Sequence, residues 1–329
     1  MTSDTVLDVR DLRVAFGAIE PVRGVSFELR RGERLGLVGE SGSGKSLTAL
    51  AVMRLARRAT LSGEVLLEGT DLLRLKPREM EKVRGGRVAM VYQDPMSALN
   101  PVYTVGRQLE EAIRLHARVD RRTARERAVE LLDGVGVPHP RQRVDQYPHE
   151  FSGGMRQRVM IAMAMCADPA VLICDEPTTA LDVTTQARIM DLLDRLVEEH
   201  GTAVMLITHD LGVAAGFCDE VQVMYGGRIV ERASAEALYR APVHPYSEAL
   251  LGAAVDLSLE LGVPIPTIGG SPPLAGDLPS GCSFHPRCPV ARDVCRAELP
   301  ALTSETGRTV ACHLAAERAA TFEESDVRA

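Results

Sequence analysis

The chain has no apolar run approaching the roughly 18 residues a membrane-spanning helix needs, so any link to a membrane is expected to run through a partner. Its first residues, Met1 to Leu12, lack a basic start followed by an apolar core. A secretory leader is therefore not expected, and the chain reads as cytosolic. Positive charge is also short, with a net charge of −7 and only Lys45, Lys76 and Lys82 as lysines. That balance is poorly suited to gripping a nucleic-acid backbone. The local cluster Arg118, Arg121, Arg122, Arg125 and Arg127 reads as a solvated helix face rather than a nucleic-acid patch. Tandem copies, long coiled-coil insertions, basic arms and solenoid-type repeats are all missing. At 329 residues there is room for one large domain with an appendage, or for two modest domains.

What is present is a complete phosphate-binding loop, Gly39-Glu40-Ser41-Gly42-Ser43-Gly44-Lys45-Ser46. The apolar run Leu35 to Val38 before it predicts a short buried strand, and Leu47 to Leu55 after it predicts a helix. A strand, a glycine-rich turn and a helix aim unpaired backbone N–H groups and a positive dipole at one point. Glycines let the main chain wrap closely around phosphates. Lys45 can then reach the β- and γ-phosphates of a nucleoside triphosphate, and the Ser46 hydroxyl can ligate Mg²⁺.

Three further strands are predicted to end in polar groups. Val171 to Cys174 runs straight into Asp175 and Glu176, as a buried parallel strand with carboxylates at its carboxyl end would. Asp175 can hold Mg²⁺ through water while Glu176 orients or deprotonates the attacking water. Ala203 to Ile207 leads into Thr208-His209-Asp210, where His209 can bond the γ-phosphate and sense its loss. Arg87 to Tyr92 ends in Gln93, whose amide can reach both Mg²⁺ and that water. The expected fold is α/β with a mainly parallel core sheet.

Phe151-Ser152-Gly153-Gly154-Met155-Arg156-Gln157-Arg158 opens a further predicted helix through Ile161 and Met165. Ser-Gly-Gly at a helix start is a second anion-binding terminus, and its economical use is on the nucleotide of a neighbouring subunit. Here the chain resembles the ATP-binding-cassette ATPases, with all motifs in order over about residues 6–250. Ser152, Gly153, Gly154 and Met155 match the family signature, although Phe151 and Met155 replace its usual leucine and glutamine. The resemblance implies a P-loop core and a head-to-tail dimer with two ATP molecules between subunits. It places Phe16 where a ring stacks on adenine, Gln93 at the loop facing the membrane partner, and Asp182 in the loop crossing the dimer interface.

Gln93 to Pro101, the signature, and Asp175 to Thr184 are similar to the oligopeptide/dipeptide importer branch. So are His244-Pro245-Tyr246 and the proline-rich, cysteine-bearing tail. Cys166, Cys174 and Cys218 read as inert core residues. Cys282, Cys288, Cys295 and Cys312 fit an all-cysteine site for zinc or an iron–sulfur cluster, or stay unmetallated; disulfides are not expected in a reducing cytosol. The branch resemblance implies a 4Fe-4S cluster; His285 and His313 could substitute as ligands or read simply as solvent-exposed loop histidines.

The expected organisation is a nucleotide-binding domain over residues 1–260, with a helical subdomain at about 94–158, and an extension over 261–329. The resemblance implies an ATPase powering peptide import from the cytoplasmic face of the inner membrane. It also implies two transmembrane permease subunits, a second cassette ATPase and an extracytoplasmic substrate-binding protein as partners, and no nucleic acid. Importers of nickel, glutathione or another small solute are alternatives, as is a soluble cassette ATPase acting on nucleic acid or ribosomes.

Overall fold

The computed structural model describes residues 4–179, 181–253, 267–305 and 307–326. Along the chain, strands β1 (Thr5–Phe16), β2 (Ile19–Arg30) and β3 (Arg34–Val38) lead into helix α1 (Lys45–Val52). Then come β4 (Thr60–Leu67), β5 (Thr70–Asp71), α2 (Pro77–Val83) and β6 (Val88–Val91). Five helices follow, α3 (Pro95–Ala98), α4 (Val105–His116), α5 (Arg121–Gly134), α6 (Pro140–Arg143) and α7 (Gly153–Met165). Next are β7 (Val171–Asp175), α8 (Val183–His200), β8 (Ala203–Thr208), α9 (Leu211–Phe217), β9 (Glu220–Tyr225) and β10 (Arg228–Ser234). After α10 (Ala235–Arg240) and α11 (Pro245–Gly252), the tail holds α12 (Asp293–Ala297), β11 (Thr303–Glu305), β12 (Arg308–Val310) and α13 (Ala315–Asp326).

The chain divides into two compact units. The first comprises Met1–Leu7, Leu29–Glu33 and Leu67–Met205. In it β6 and β7 pair in parallel, from Val88 opposite Val171 to Val91 opposite Cys174. Both strands are wholly buried, which is why they read as unbroken apolar runs. Its helices begin where side chains can cap them: Thr104 for α4, Asp120 for α5, Ser152 for α7 and Asp182 for α8 each accept a backbone N–H three residues on. Leu109 and Ile113 of α4, Ala128 and Leu132 of α5 and Val159 of α7 are buried. Residues 94–158 are helical throughout their regular elements, as their sequence predicts.

The second unit comprises Asp8–Glu28, Arg34–Leu66 and Leu206–Ala329. Strand β3 pairs in parallel with β9, from Leu35 opposite Glu220 to Val38 opposite Val223. Strand β10 turns back antiparallel on β9, with a bulge between Ile229 and Glu231. Strand β12 pairs antiparallel with β10, and β11 with β12, so the tail extends this sheet. Strands β2, β1 and β4 are neighbours in a separate sheet. Helix α1 starts at Lys45, two residues before the predicted Leu47, because Gly44 takes a left-handed conformation (φ 109°) that turns the loop directly into the helix. The expected boundary at 260/261, with Leu261, Pro264 and Pro266, lies outside the described residues.

Candidate functional site

In the second unit the loop 39–46 folds back on its own carbonyls. Lys45 is buried, and its ammonium donates to the Gly39 carbonyl at 2.7 Å and the Glu40 carbonyl at 2.9 Å. The Ser43 carbonyl accepts from Gly227 N–H at 3.0 Å, tying the loop to the β9–β10 turn. A Cβ on Gly44 would lie 2.7 Å from the Met224 methyl and 2.8 Å from the Pro21 carbonyl, so that position takes no side chain. The Ser43 hydroxyl is buried without a hydrogen-bond partner among the described residues, an orphaned polar group that a phosphate oxygen would satisfy. The loop therefore fits the triphosphate for which its residues are suited. Phe16 ends β1 with 39% of its surface exposed, which sets aside the core role a strand-end phenylalanine usually has. His209 is exposed after β8, beside Asp210, whose carboxylate caps α9 through Gly212 and Val213.

In the first unit the parallel register of β6 and β7 brings two predicted residues together. Val91 lies opposite Cys174, so Gln93 and Glu176 leave the sheet side by side. The Gln93 amide donates to the Glu176 carboxylate at 3.0 Å, and the Thr179 hydroxyl donates to the same oxygen at 2.9 Å. Glu176 takes a left-handed backbone conformation (φ 46°), an uncommon state for a non-glycine residue. Asp175 is buried at the strand end. Such a constellation can hold a water and polarise it.

The signature helix and the Asp182 segment meet in the same unit. Ser152 caps α7 by accepting Met155 N–H at 3.4 Å. A Cβ on Gly154 would lie 2.5 Å from the Thr185 methyl, whereas one on Gly153 would meet Leu181 at 3.7 Å. Thr185 is turned by Asp182, whose carboxylate accepts both its hydroxyl at 2.7 Å and its N–H at 3.0 Å. Those two bonds hold the Asp182 carboxyl below its ordinary pKa.

Comparison with known proteins identifies the family. Residues 22–179 match the family model for "ABC transporter", and residues 230–295 match that for "Oligopeptide/dipeptide transporter, C-terminal region". A probable peptide ABC transporter ATP-binding protein, y4tR of Sinorhizobium fredii, is 50% identical over 94% of this chain and 95% of its own length. The oligopeptide transport ATP-binding protein OppD of Escherichia coli is 49% identical over 94% of this chain and 93% of its own. The chain belongs to the ATP-binding proteins of peptide ABC transporters. Its cassette fold also matches that of MJ0796, solved as a dimer in a post-hydrolysis state bound to ADP and Pi. That match has a TM-score of 0.63 and 28% identity, over 70% of this chain and 98% of the other.

In this ABC protein the tail brings its four late cysteines into one neighbourhood. Cys295 is buried and Cys282, Cys288 and Cys312 are half-buried. Burial first, then the other three thiols, pushes Cys282 up to about 11. Cys282 N–H donates to the Cys295 carbonyl at 2.8 Å. Among the described residues no group of three or more His, Cys, Asp or Glu is placed to hold a metal ion. His285 bonds the Cys282 carbonyl and His313 the Glu298 carbonyl, each at a ring nitrogen. Cys174 and Cys218 are buried, as expected of core residues, whereas Cys166 is only half-buried.

The arginine cluster is matched by carboxylates. Arg125 reaches Asp145 at 2.7 Å, Arg121 reaches Glu110 at 3.4 Å and Arg122 reaches Glu126 at 3.2 Å. Two contacts on the phosphate loop escaped sequence reasoning. Glu40 is held by Tyr246 and by Arg287. The His-Pro-Tyr element marked Tyr246 as a family feature without saying what it touches, and nothing marked Arg287.

Proposed function

We propose that this ABC ATPase powers the import of di- or oligopeptides through a membrane permease, acting from the cytoplasmic face of the inner membrane. The observation that carries the hydrolytic part is the Gln93–Glu176 pair at the ends of two parallel strands. Near-full-length identity to peptide-transport ATP-binding proteins supports the substrate class. Glu176 is the general base, and Gln93 orients the attacking water. Lys45 neutralises charge on the transferring phosphate, with Gly39, Glu40, Ser41, Gly42, Ser43 and Gly44 supplying the backbone cradle. His209 senses the γ-phosphate and Phe16 stacks on adenine. Ser46, Gln93 and Asp175 would hold Mg²⁺, which would offset charge on the phosphate oxygens.

Ser152 to Met155 grip the ATP of a second cassette subunit, and Asp182 lies at that interface. ATP binding closes the pair and hydrolysis releases it, because γ-phosphate contacts exist in only one of the two states. Two permease subunits and an extracytoplasmic binding protein complete the assembly, and residues 261–329 form its extension. The late cysteines Cys282, Cys288, Cys295 and Cys312 are the all-thiol donor type a 4Fe-4S cluster would take for one-electron transfer, but the described residues do not bring three of them into position to hold a metal. Anaerobic iron and acid-labile sulfide assays decide that point, and stoichiometric zinc without iron removes the cluster.

The function itself is tested by recovering the Glu176→Gln chain from native membranes with Mg-ATP. Two multi-spanning permeases and a second cassette ATPase are expected alongside it. Recovery of only ribosomal or DNA-associated proteins would overturn the transport reading and leave the ATPase chemistry standing.

A further inference from the structure

Glu40 is the second residue of the phosphate loop, and side chains far along the chain hold two of its three polar groups, the N–H and the carboxylate. Its backbone N–H donates to the Tyr246 hydroxyl at 2.7 Å. Its carboxylate accepts two hydrogen bonds from the Arg287 guanidinium, at 2.6 and 2.9 Å. A bidentate fork of this kind fixes orientation as well as charge. The Arg287 side chain is 5% exposed and that of Glu40 23%, so the pair escapes much of the screening that weakens surface ion pairs.

Arg287 is itself held in place. Its Nε donates to the Gly269 carbonyl at 2.8 Å and its Nη1 to the Tyr225 hydroxyl at 3.3 Å. Tyr225, Tyr246 and Phe284 pack on one another with ring centroids 4.5 to 5.3 Å apart. The carboxylate of Glu40 keeps the guanidinium firmly charged.

We infer that the C-terminal extension is a positioning element of the nucleotide site, its Arg287 acting with Tyr246 of α11 to set the shape of the phosphate loop through Glu40. The Glu40 carbonyl accepts from Lys45 at 2.9 Å and from Ser43 N–H at 3.3 Å. Rotating Glu40 therefore moves both the lysine and the turn. Gly39, Gly42 and Gly44 offer no side chains to resist such a rotation, so an outside clamp supplies pre-organisation the loop lacks. A clamp that only fastened the tail to the core would change stability and leave nucleotide affinity alone. By linkage, nucleotide binding in turn tightens the extension on the loop by the same factor.

The inference rests on the loop binding ATP, which the unaltered loop in the full-length Glu176→Gln chain reports by calorimetric titration with Mg-ATP. Absence of binding there overturns that reading and this one with it. In the same background, Arg287→Met is expected to weaken Mg-ATP binding roughly 3- to 30-fold. Glu40→Gln should do the same, and the double variant should be no weaker than the worse single one, since both remove one interaction. Arg287→Lys keeps the charge without the fork and should fall between, which covers the case of a poorly folding Arg287→Met. In the hydrolysing chain KM for ATP should rise more than kcat falls. An unchanged affinity in a folded Arg287 variant, or additive losses in the double variant, would refute the inference.

Discussion

Glu176 combines a left-handed backbone with two hydrogen bonds on one carboxylate oxygen. A strained residue that local bonding over-determines costs about 1–3 kcal/mol and is often kept for chemistry. Replacing Glu176 by Gln preserves the shape and removes the base. ATP turnover is expected to fall about 10²- to 10⁴-fold while Mg-ATP affinity stays within a few-fold. Near-normal turnover would remove Glu176 from the mechanism. Gly153 and Gly154 make a paired test of the signature. Gly154→Ala puts a methyl against Thr185 where 2.5 Å is available, and should cost about 1–3 kcal/mol in urea unfolding. Gly153→Ala has 3.7 Å to Leu181 and should be nearly silent. Equal effects would show that the contact with Thr185 does not set the difference. These residue types were legible in the sequence because the chemistry of phosphate, metal and water demands them in a fixed local order.

At the scale of elements, the His-Pro-Tyr turn is built around buried polar groups. Glu231 of β10 is buried and accepts Val243 N–H at 2.8 Å and His244 N–H at 2.9 Å. The His244 ring caps α11 by accepting Tyr246 N–H at 3.0 Å. Burial first, then Arg318, pushes His244 down to about 3. Its folded pKa is therefore below the ordinary value of about 6.5, so its contribution to stability is full above pH 6.5 and is lost as pH falls toward 3. Glu231 runs the other way: burial raises its pKa against the pull of Ser247, the two backbone donors and Arg308, so it opposes part of that loss. His244→Asn keeps a good helix cap and removes the titration. Its stability should fall less steeply than the parent's between pH 6.5 and 4 in urea melts. Parallel slopes would deny His244 that role. The sequence pattern placed the helix after the phosphate loop and the signature helix, but it missed the start of α1, because a left-handed glycine rather than an apolar residue decides where that helix begins.

For the whole molecule, ligand linkage gives a direct readout. If the loop binds ATP, Mg-ATP at 100 times its Kd should stabilise the Glu176→Gln chain by about 2.7 kcal/mol and raise its melting temperature. No shift at any nucleotide concentration would contradict nucleotide binding. If Ser152 to Met155 serve a neighbour's ATP, turnover per chain should rise with protein concentration, or on adding a partner cassette. Concentration-independent turnover in a monomer would assign the signature another task. One unit of the fold carries the signature and Glu176 together, and the other carries the phosphate loop together with the described part of the tail. That grouping follows no boundary along the chain, since each unit is assembled from three separate segments.

The phosphate loop, the acidic strand end, the signature and the helical stretch that carries it can all be read along the chain. Each depends on neighbours within a few residues: glycines for tight turns, apolar runs for buried strands, and side-chain caps for helix starts. Long-range packing sets the extension of the sheet at β10 by β12, the approach of four separated cysteines and the meeting of Arg287 with Glu40 across 247 positions. Local spacing carries no record of such pairings. Several arginines in the tail could serve any given carboxylate, and the choice falls to whichever one the packing of Tyr225, Tyr246 and Phe284 delivers to the loop.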